Sequence, residues 1–430
     1  MSALMSEAGT RRVDEKTEVC DALAGVRVVE LCESTEQYAG KMLAQLGAEV
    51  TLVEPLLGCD SRFEGPYLDS RPHRERSLTF AYLNQGKRSI CVDADDAAGQ
   101  GVIRRLAADA DILISSVGPG VMAARGLSNK DLSQINPRLI TANISLFGES
   151  GPYSDYVGDD LIAMAFGGML YLGGYPGKAP TAAWGNQALL AAAQFTAVSI
   201  LVALWDVEST PKNDISGQHL DISVQESVAM ALENSAQFFD LEQKIKMRSG
   251  GEQRQAGMGV FSCQDGMIYL MAGGIASNRF WNGTVQWLLD EGVEAARVLF
   301  DEKWNDQNFL QTEEAKQTFA NLFLPFARER TKAYLYGEGQ RRRLPICPIS
   351  TPADLVENRQ LSHRGFFQDV LHPFTGRQIL MPGAPYRLSQ SPWRGGAPAP
   401  MLGEHTYEVL VRAGYEPEQL EVLMRQGVIA

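Results

Sequence analysis

Short buried strands alternate with helical segments over the first part of this 430-residue chain, and that alternation restricts the fold more than any other feature. Val26–Leu31 is a predicted strand, a helical segment ending near Leu46 follows it, and Glu49–Val53 is the next predicted strand. A strand, a helix and a strand in this order form a right-handed crossover, which places both strands in one parallel sheet. Further strands are predicted at Ser89–Val92, Asp111–Ser115 and Leu139–Ile144, with helices at about 96–108 and 121–135. The sequence therefore predicts an α/β fold with a doubly wound parallel sheet.

The pattern changes after another predicted strand, Gln218–Val224. From about residue 229, helical segments surround one short predicted strand, Met267–Met271, which is typical of a smaller α+β domain. Beyond residue 340 the chain contains extended segments with many prolines and glycines, and it ends in two short predicted helices. We therefore expect a large domain that begins with residues 1–228, a small domain over residues 229–340 and a C-terminal segment over residues 341–430.

Charge and composition exclude several classes of partner. The net charge of −13 and the pI near 5.0 argue against nucleic acid or an anionic membrane as a general partner, because polyanions recruit basic surfaces. The six cysteines show no CxxC spacing and the five histidines are dispersed, which favours buried thiols over disulfides or a metal site. Residues 1–24 predict a loose polar leader without the apolar core of a signal peptide, and we expect no apolar run long enough to span a membrane. The expected location is the cytoplasm.

Four separated blocks of residues carry a family signal. They are Leu46–Val50 with Val53–Pro55; Asn84–Ile90 with Asp93; Ala110–Ile112 with Pro119, Gly120, Gly126, Leu127, Asn136, Pro137 and Gly148–Tyr153; and Cys347–Ile349 with Pro398–Thr406 and Gly427–Ile429. Any one block would be a weak signal. In this order and spacing, they resemble the motifs of the family III CoA-transferases over nearly the whole chain from Leu23.

This resemblance implies a fold, substrates and a partner. Members of the family form two open rings, each made of a nucleotide-binding-type domain and a smaller domain, and the rings interlock in a dimer. The resemblance further implies that residues 341–430 return to the large domain and that acyl-CoA and a carboxylic acid are the substrates. Some members have two unlike subunits, such as the succinyl-CoA:(R)-benzylsuccinate enzyme, so a homologous catalytic subunit is the expected partner.

The nucleophile that this family uses is missing. The family's catalytic aspartate lies about eleven residues before an I-L-x-A-L run, and counting back from Ile200–Leu204 places Leu189 at that position. Between Asp160 and Asp206 the chain contains no aspartate or glutamate, so no shift of register supplies a carboxylate. A leucine side chain cannot attack a thioester.

Two carboxylates upstream remain as alternative catalytic residues. Asp159 stands where the family's racemases have a histidine, and Asp160 matches a position that is commonly acidic in the family. Either carboxylate could act as a base in proton transfer. The structural alternative for Asp160, which we favour, is a carboxylate that accepts backbone N–H bonds at a helix N-terminus.

The residues expected to contact CoA are only partly present. Lys87 and Arg88 remain as a cation pair at a strand start that could hold a pyrophosphate, although they could equally form a solvated edge. The family's arginine before Leu-Gly-Leu is Ala124 here, with Arg125 one position later and turned by about 100° if the segment is helical. Glu36 and Gln37 replace the usual Gly-Pro after the first strand, which makes a close approach of the backbone to CoA less favourable.

We therefore expect the non-catalytic subunit of a hetero-oligomeric CoA-transferase that acts on acyl-CoA and a carboxylic acid, with a dicarboxylate such as succinate or benzylsuccinate suggested by precedent. Two alternatives stay open. One is an acyl-CoA isomerase, racemase or lyase on the same fold that uses Asp159 or Asp160. The other is a non-enzymatic acyl-CoA-binding protein.

Overall fold

The chain is represented by a computed structural model that describes residues 21–211, 216–248, 250, 253–273 and 278–430. The expected leader over residues 1–24 therefore lies mostly outside the described residues. The strands are β1 Arg27–Leu31, β2 Glu49–Glu54, β3 Arg88–Cys91, β4 Ile112–Ser115, β5 Ile140–Ser145, β6 His219–Ser223, β7 Gln253–Gln255, β8 Met258–Cys263, β9 Gly266–Met271, β10 Ile346–Ile349, β11 Phe367–Leu371 and β12 Gln378–Pro382.

The helices vary widely in length. They are α1 Tyr38–Gln45, α2 Leu78–Leu83, α3 Ala97–Ala108, α4 Val121–Ala124, α5 Asn129–Ile135, α6 Asp160–Phe166, α7 Met169–Leu172, α8 Gln187–Ser209, α9 Val224–Met230, α10 Ser235–Glu242, α11 Asn278–Asp290, α12 Gln307–Leu310, α13 Glu313–Arg328, α14 Lys332–Arg342, α15 Pro352–Val356, α16 Arg359–His363, α17 Thr406–Arg412 and α18 Pro417–Arg425.

A six-stranded sheet has the strand order β3-β2-β1-β4-β5-β6. Strand β1 pairs in parallel with β2 and with β4, and the β2–β3 and β4–β5 pairs are also parallel. The four strands β1, β2, β3 and β4 are mostly buried, as expected for a parallel sheet that is covered on both faces. This architecture confirms the predicted α/β fold class with a doubly wound parallel sheet.

Contacts between Cα atoms divide the chain into two compact units. Unit 1 contains residues 1–143, 196–220 and 368–430, and unit 2 contains residues 144–195 and 221–367. The grouping differs from the boundaries at 228 and 340 that the sequence predicts, because residues 144–195 and 341–367 group with the antiparallel sheet in unit 2. In unit 2 that sheet has the order β10-β9-β8-β7.

One predicted helix is broken. The segment expected to be helical over 121–135 forms α4 and α5, with Gly126 between them at φ +61. Ser128 then begins α5 with a capping box, in which its side chain accepts the N–H of Asp131 while the Asp131 carboxylate accepts the N–H of Ser128. A glycine in the left-handed conformation ends one helix, and a strong N-cap begins the next. The prediction of one continuous helix over 121–135 was therefore wrong.

The C-terminal residues complete the core of unit 1. Ile429 forms an antiparallel bridge with Val92, and the Asp93 N–H donates to the carbonyl oxygen of Val428 over 2.8 Å. Thr406 Oγ1 accepts the N–H of Cys91. Several apolar side chains of this segment belong to the same buried cluster as the sheet: Val409, Leu410, Leu420, Val428 and Ile429.

Truncation of one of these side chains tests whether the core of unit 1 depends on the C-terminal segment. We expect Leu410→Ala to lower the free energy of unfolding by about 2–5 kcal/mol, because the fully buried leucine would leave a cavity in the sheet core. The adjacent Val411 is 41% exposed and provides the matched control, Val411→Ala, which should change stability much less. Urea unfolding of both variants measures the difference, and equal losses would show that α17 is not part of the core.

Helix α8 combines length with an apolar composition. It is the one helix of the described residues that is long and apolar enough to cross a membrane, so the expectation that no run reaches that length was wrong. Less than half of its most apolar stretch is buried, and the core helices of soluble proteins can have the same length and composition. Four exposed apolar side chains, Phe195, Val198, Val202 and Trp205, recur at the spacing of one helix face.

Candidate active site

Leu189 lies in the first turn of α8, at the position where the family resemblance predicts a nucleophile. Its side chain is half-buried, and its backbone N–H donates to Asp160 Oδ1 over 3.0 Å. The N–H groups of Gln187 and Ala188 also favour the charged form of this carboxylate. Asp160 therefore occupies the helix N-terminus, where free N–H groups and the helix dipole favour an anion.

Burial determines the titration of Asp160. Loss of solvent raises the pKa of this carboxyl above its ordinary value, and repulsion from Asp159 acts in the same direction, while the N–H groups of α8 oppose the rise. The backbone N–H groups in the first turn of α8 thus hold the Asp160 carboxylate at the N-terminus of that helix. In this position the carboxylate stabilises a helix start.

Asp159 also caps a helix. It is the N-cap residue of α6, and its Oδ1 accepts the N–H of Ile162 over 3.2 Å. The structure thus brings together Asp159, Asp160 and Leu189, with each carboxylate bonded to a helix N-terminus. The geometry supports the structural alternative given for Asp160 and extends it, because Asp160 accepts from α8 although it lies at the start of α6.

The capping role of Asp160 predicts a difference between two substitutions. Asp160→Ala removes the acceptor and should lower the free energy of unfolding by about 0.5–2 kcal/mol. Asp160→Asn keeps an oxygen that can accept the Leu189 N–H, so the loss should be smaller. Thermal unfolding of the two variants provides the measurement, and the interpretation fails if Asn at this position costs as much stability as Ala.

Lys87 is buried in an ion pair. Its Nζ donates to Glu30 Oε2 over 2.5 Å and to the carbonyl oxygen of Gln37 over 2.7 Å, and both paired side chains are inaccessible to solvent. Burial raises the pKa of Glu30 even though Lys87 opposes the rise. Gly40 provides the space for this carboxylate, since a Cβ there would lie 2.4 Å from Glu30 Oε1. Lys87 is therefore not available in this structure as a surface cation for a CoA phosphate.

A double-mutant cycle tests the structural role of Lys87. We expect Lys87→Met to cost about 3–5 kcal/mol, because it leaves the Glu30 carboxylate buried without a partner. The double variant Glu30→Met/Lys87→Met should recover most of that loss. Arg88→Met is the neighbouring control and should cost less than about 1 kcal/mol, because its ion pairs are long and solvated. Equal stability of Lys87→Met and wild type would disprove a structural ion pair.

Arg125 lines a cleft at the carboxyl ends of the parallel strands in unit 1. The cleft has an empty volume of about 780 Å³, and its charged lining includes Glu33, Asp93, Asp95 and Arg125. Arg125 Nε donates to Asp95 Oδ1 over 2.9 Å. Burial, followed by repulsion from Asp60, raises the pKa of Glu33. Ligands of open α/β sheets bind at this edge, but a lining with four carboxylates, including Glu54, and one paired guanidinium does not favour a pyrophosphate.

Arg88 lies at the opposite end of the sheet. It is the first residue of β3 and is within 4.0 Å of two carboxylates, at 3.7 Å from Glu49 and at 3.8 Å from Glu408. Because the strands are parallel and rise by about 3.3 Å per residue, the amino and carboxyl edges are separated by the strand length. Arg88 and Arg125 therefore cannot contact the same phosphate group, and the three predicted CoA-binding cations do not form one site in this structure.

Gln37, which with Glu36 replaces the family's usual Gly-Pro, is buried. This buried side chain donates to the carbonyl oxygen of Cys32, and its Oε1 accepts from Ser61 Oγ and Asn84 Nδ2. Burial raises the pKa of the neighbouring Glu36 to about 7. The sequence shows that Gly-Pro is replaced at this point, but pattern alone gives no sign that Gln37 is the centre of a buried polar network.

Most of the described cysteines are buried free thiols. Cys32, Cys59, Cys91 and Cys263 are buried free thiols, whereas Cys347 is exposed and Cys20 lies outside the described residues. Within residues 21–211, 216–248, 250, 253–273 and 278–430, no group of three His, Cys, Asp or Glu side chains could hold a metal ion.

The parallel sheet and the antiparallel sheet place the chain in the class of mixed α/β proteins, and comparison with known proteins gives the family. The model of CoA-transferase family III matches residues 23–406. The chain belongs to this family. This confirms the resemblance found in the sequence.

Individual relatives cover almost the whole chain. The chain is 39% identical over 404 residues to the succinyl-CoA:(R)-benzylsuccinate CoA-transferase subunit BbsE of Thauera aromatica, which covers 94% of this chain and 97% of that protein. It is 29% identical to the succinyl-CoA–L-malate CoA-transferase alpha subunit of Chloroflexus aurantiacus, over 90% of this chain and 88% of that one. A solved structure of a CAIB/BAIF family protein from Brucella suis superposes with a TM-score of 0.80 at 27% identity, and covers 91% of this chain and 99% of the other.

Proposed function

We propose that this chain is the non-catalytic subunit of a cytoplasmic hetero-oligomeric CoA-transferase, in which a homologous subunit supplies the catalytic aspartate. The observation that carries the proposal is Leu189 in the first turn of α8, with its N–H bonded to Asp160. A hydrocarbon side chain occupies the position at which the family's resemblance predicts the nucleophile.

The chemistry of CoA transfer requires that nucleophile. A carboxylate attacks the thioester carbonyl, CoA leaves as a thiolate, and the acyl group remains on the enzyme as an anhydride. The thiolate then attacks the enzyme's carbonyl carbon, which releases the acyl group as a carboxylate and leaves an enzyme–CoA thioester. Asp159 and Asp160 are poor substitutes, because both carboxylates accept N–H bonds from helix starts.

Two observations support a partner subunit. The Thauera relative and the Chloroflexus relative are both named as subunits of CoA-transferases. In addition, α8 exposes the apolar row Phe195, Val198, Val202 and Trp205, with Trp205 75% exposed. Clustered apolar side chains of this kind mark protein interfaces. We propose that this row is covered in an interlocked dimer with the catalytic subunit.

The substrates proposed are an acyl-CoA such as succinyl-CoA and a dicarboxylate, with benzylsuccinate favoured by the name of the Thauera relative. A cluster of aromatic side chains in unit 2 supports an acid that carries a ring. The cluster contains four rings whose contacting pairs have centroids 5.0–6.2 Å apart: Phe147, Tyr153, Tyr156 and Phe166. The first three precede α6 in the sequence, and Phe166 is its last residue. Aromatic rings stack favourably at such distances.

Mass spectrometry of the working complex tests the proposal. The chain should be co-expressed with a family member that has the aspartate and incubated with succinyl-CoA and benzylsuccinate. We expect turnover by the pair, none by this chain alone, and a CoA thioester only on the partner polypeptide. A covalent acyl or CoA adduct on this chain would overturn the proposal.

Leu189 also allows a gain-of-function comparison. In a complex whose partner has lost its aspartate, Leu189→Asp should restore a detectable CoA thioester on this chain if the residue occupies the nucleophile position. Leu190→Asp is the matched control, since that leucine is the next residue of the same helix and is also half-buried. Equal labelling of both variants, or of neither, would contradict the assignment of position 189.

The two alternatives give different results in the same complex. If Asp159 or Asp160 acts as a base for an isomerase, racemase or lyase, the double variant Asp159→Asn/Asp160→Asn should lose turnover on an acyl-CoA. If the chain only senses acyl-CoA, calorimetry should show saturable binding, with no turnover alongside any partner. Full transfer activity of the double variant in the complex would support the non-catalytic assignment.

A further inference from the structure

We propose that unit 1 carries a binding site for a small dianion at the amino edge of its parallel sheet. The cavity opens to solvent and has about 510 Å³ of empty space including its mouth, and four arginines line it: Arg27, Arg88, Arg105 and Arg412. They come from the starts of β1 and β3, from α3 and from α17. The inference does not depend on the proposed transferase role.

Two of these guanidinium groups have no carboxylate partner among the described residues. Among the described residues, no ion pair involves Arg27 or Arg105, although the Arg105 Nε donates to the carbonyl oxygen of Ala413 over 2.7 Å. That bond holds Arg105 against Gly414, where an added Cβ would lie 2.7 Å from Arg105 Nη2. Arg105 is therefore fixed by the backbone while its terminal N–H groups remain able to donate to a ligand.

The other two arginines share one carboxylate. Arg412 Nη1 lies 2.6 Å from Glu49 Oε2, and Arg88 lies 3.7 Å from the same oxygen. Glu408 lies 3.8 Å from Arg88, and Asp109 is the remaining acidic side chain of the lining. Four positive charges therefore face two carboxylates of the lining, Glu49 and Asp109, in a chain whose overall charge is −13. Outside the lining, Glu408 lies near Arg88, and Asp111 accepts the backbone N–H of Arg27.

The base of the cavity is apolar. The lining includes Val29 and Val409, which belong to one buried apolar cluster, and Leu106, which packs against that cluster, with Thr51 as a further polar side chain of the wall. A site with guanidinium groups at its rim and hydrocarbon at its base suits a compact anion with a short organic body. Guanidinium forks bind carboxylate and phosphate oxygens in pairs. The ligand class is therefore a phosphate monoester or a small dicarboxylate, both of which present two negative charges.

The location separates this site from the cleft that Arg125 lines. Arg27, Glu49 and Arg88 are the first residues of three neighbouring parallel strands. The cleft residues Glu33, Asp93 and Arg125 follow strands and lie at the carboxyl edge. Across β2, six residues long, the two edges are about 17 Å apart at 3.3 Å per residue. A ligand at the amino edge would therefore bind beside the sheet without entering the carboxyl-edge cleft.

Isothermal titration calorimetry of the full chain tests the site with three probes: inorganic phosphate, AMP and succinate, each at matched ionic strength. We expect saturable binding of at least one probe, with affinity that falls as NaCl is raised. Binding of phosphate and AMP but not succinate would identify a phosphate site, and the reverse would identify a dicarboxylate site. Either result supports the inference, whereas no saturable binding of any probe overturns it.

Two variants assign the binding to these residues. Arg27→Gln should weaken binding at least fivefold without loss of stability, because Arg27 is exposed and forms no ion pair with a described carboxylate. Arg105→Gln should weaken it similarly, and its melting temperature reports any cost of losing the bond to Ala413. Arg297→Gln is the control, since Arg297 is an exposed arginine in unit 2 that pairs with Glu294. Unchanged affinity in Arg27→Gln would overturn the inference.

Discussion

Parallel pairing of the strands in unit 1 determines where each charged residue can act. Every residue that precedes a strand lies at one edge of the sheet, and every residue that follows a strand lies at the other. The arginines Arg27 and Arg88 are therefore at the amino edge, whereas Arg125 lines the cleft at the carboxyl edge. The sheet keeps these cations apart irrespective of the side-chain conformations that they adopt. Its polarity explains why Arg88 and Arg125 do not converge on one phosphate, whereas Lys87 is withheld by its buried ion pair with Glu30.

Much of the fold could be predicted from the sequence, because the strands have strong local signals. The predicted strand Glu49–Val53 is one residue shorter than the observed β2, and the helix predicted at about 96–108 coincides with α3 to within a residue. Antiparallel strands β7 and β8 were not predicted, since their alternation is interrupted by glycines such as Gly257 and Gly259. The grouping of residues 144–195 with unit 2 also could not be read from sequence, because it depends on contacts between distant segments.

The candidate site shows which information a sequence lacks. The spacing from Ile200–Leu204 that identifies Leu189 is visible in the sequence, as is the absence of acidic residues between Asp160 and Asp206. The partner of the Leu189 N–H is not visible, because Asp160 lies 29 residues earlier. Likewise, Lys87 beside Arg88 suggests a pair of surface cations, yet one side chain is buried against Glu30 and the other is solvated.

The route of the chain through unit 1 has a consequence for biosynthesis. The sheet core includes Leu410, Leu420 and Ile429, which are separated from β1 by almost the full length of the polypeptide. These residues are translated long after β1, so the nascent chain exposes the apolar surface of β3 and α3 until they emerge. Contacts of such large sequence separation also slow folding, which lengthens the interval in which molecular chaperones can engage the chain.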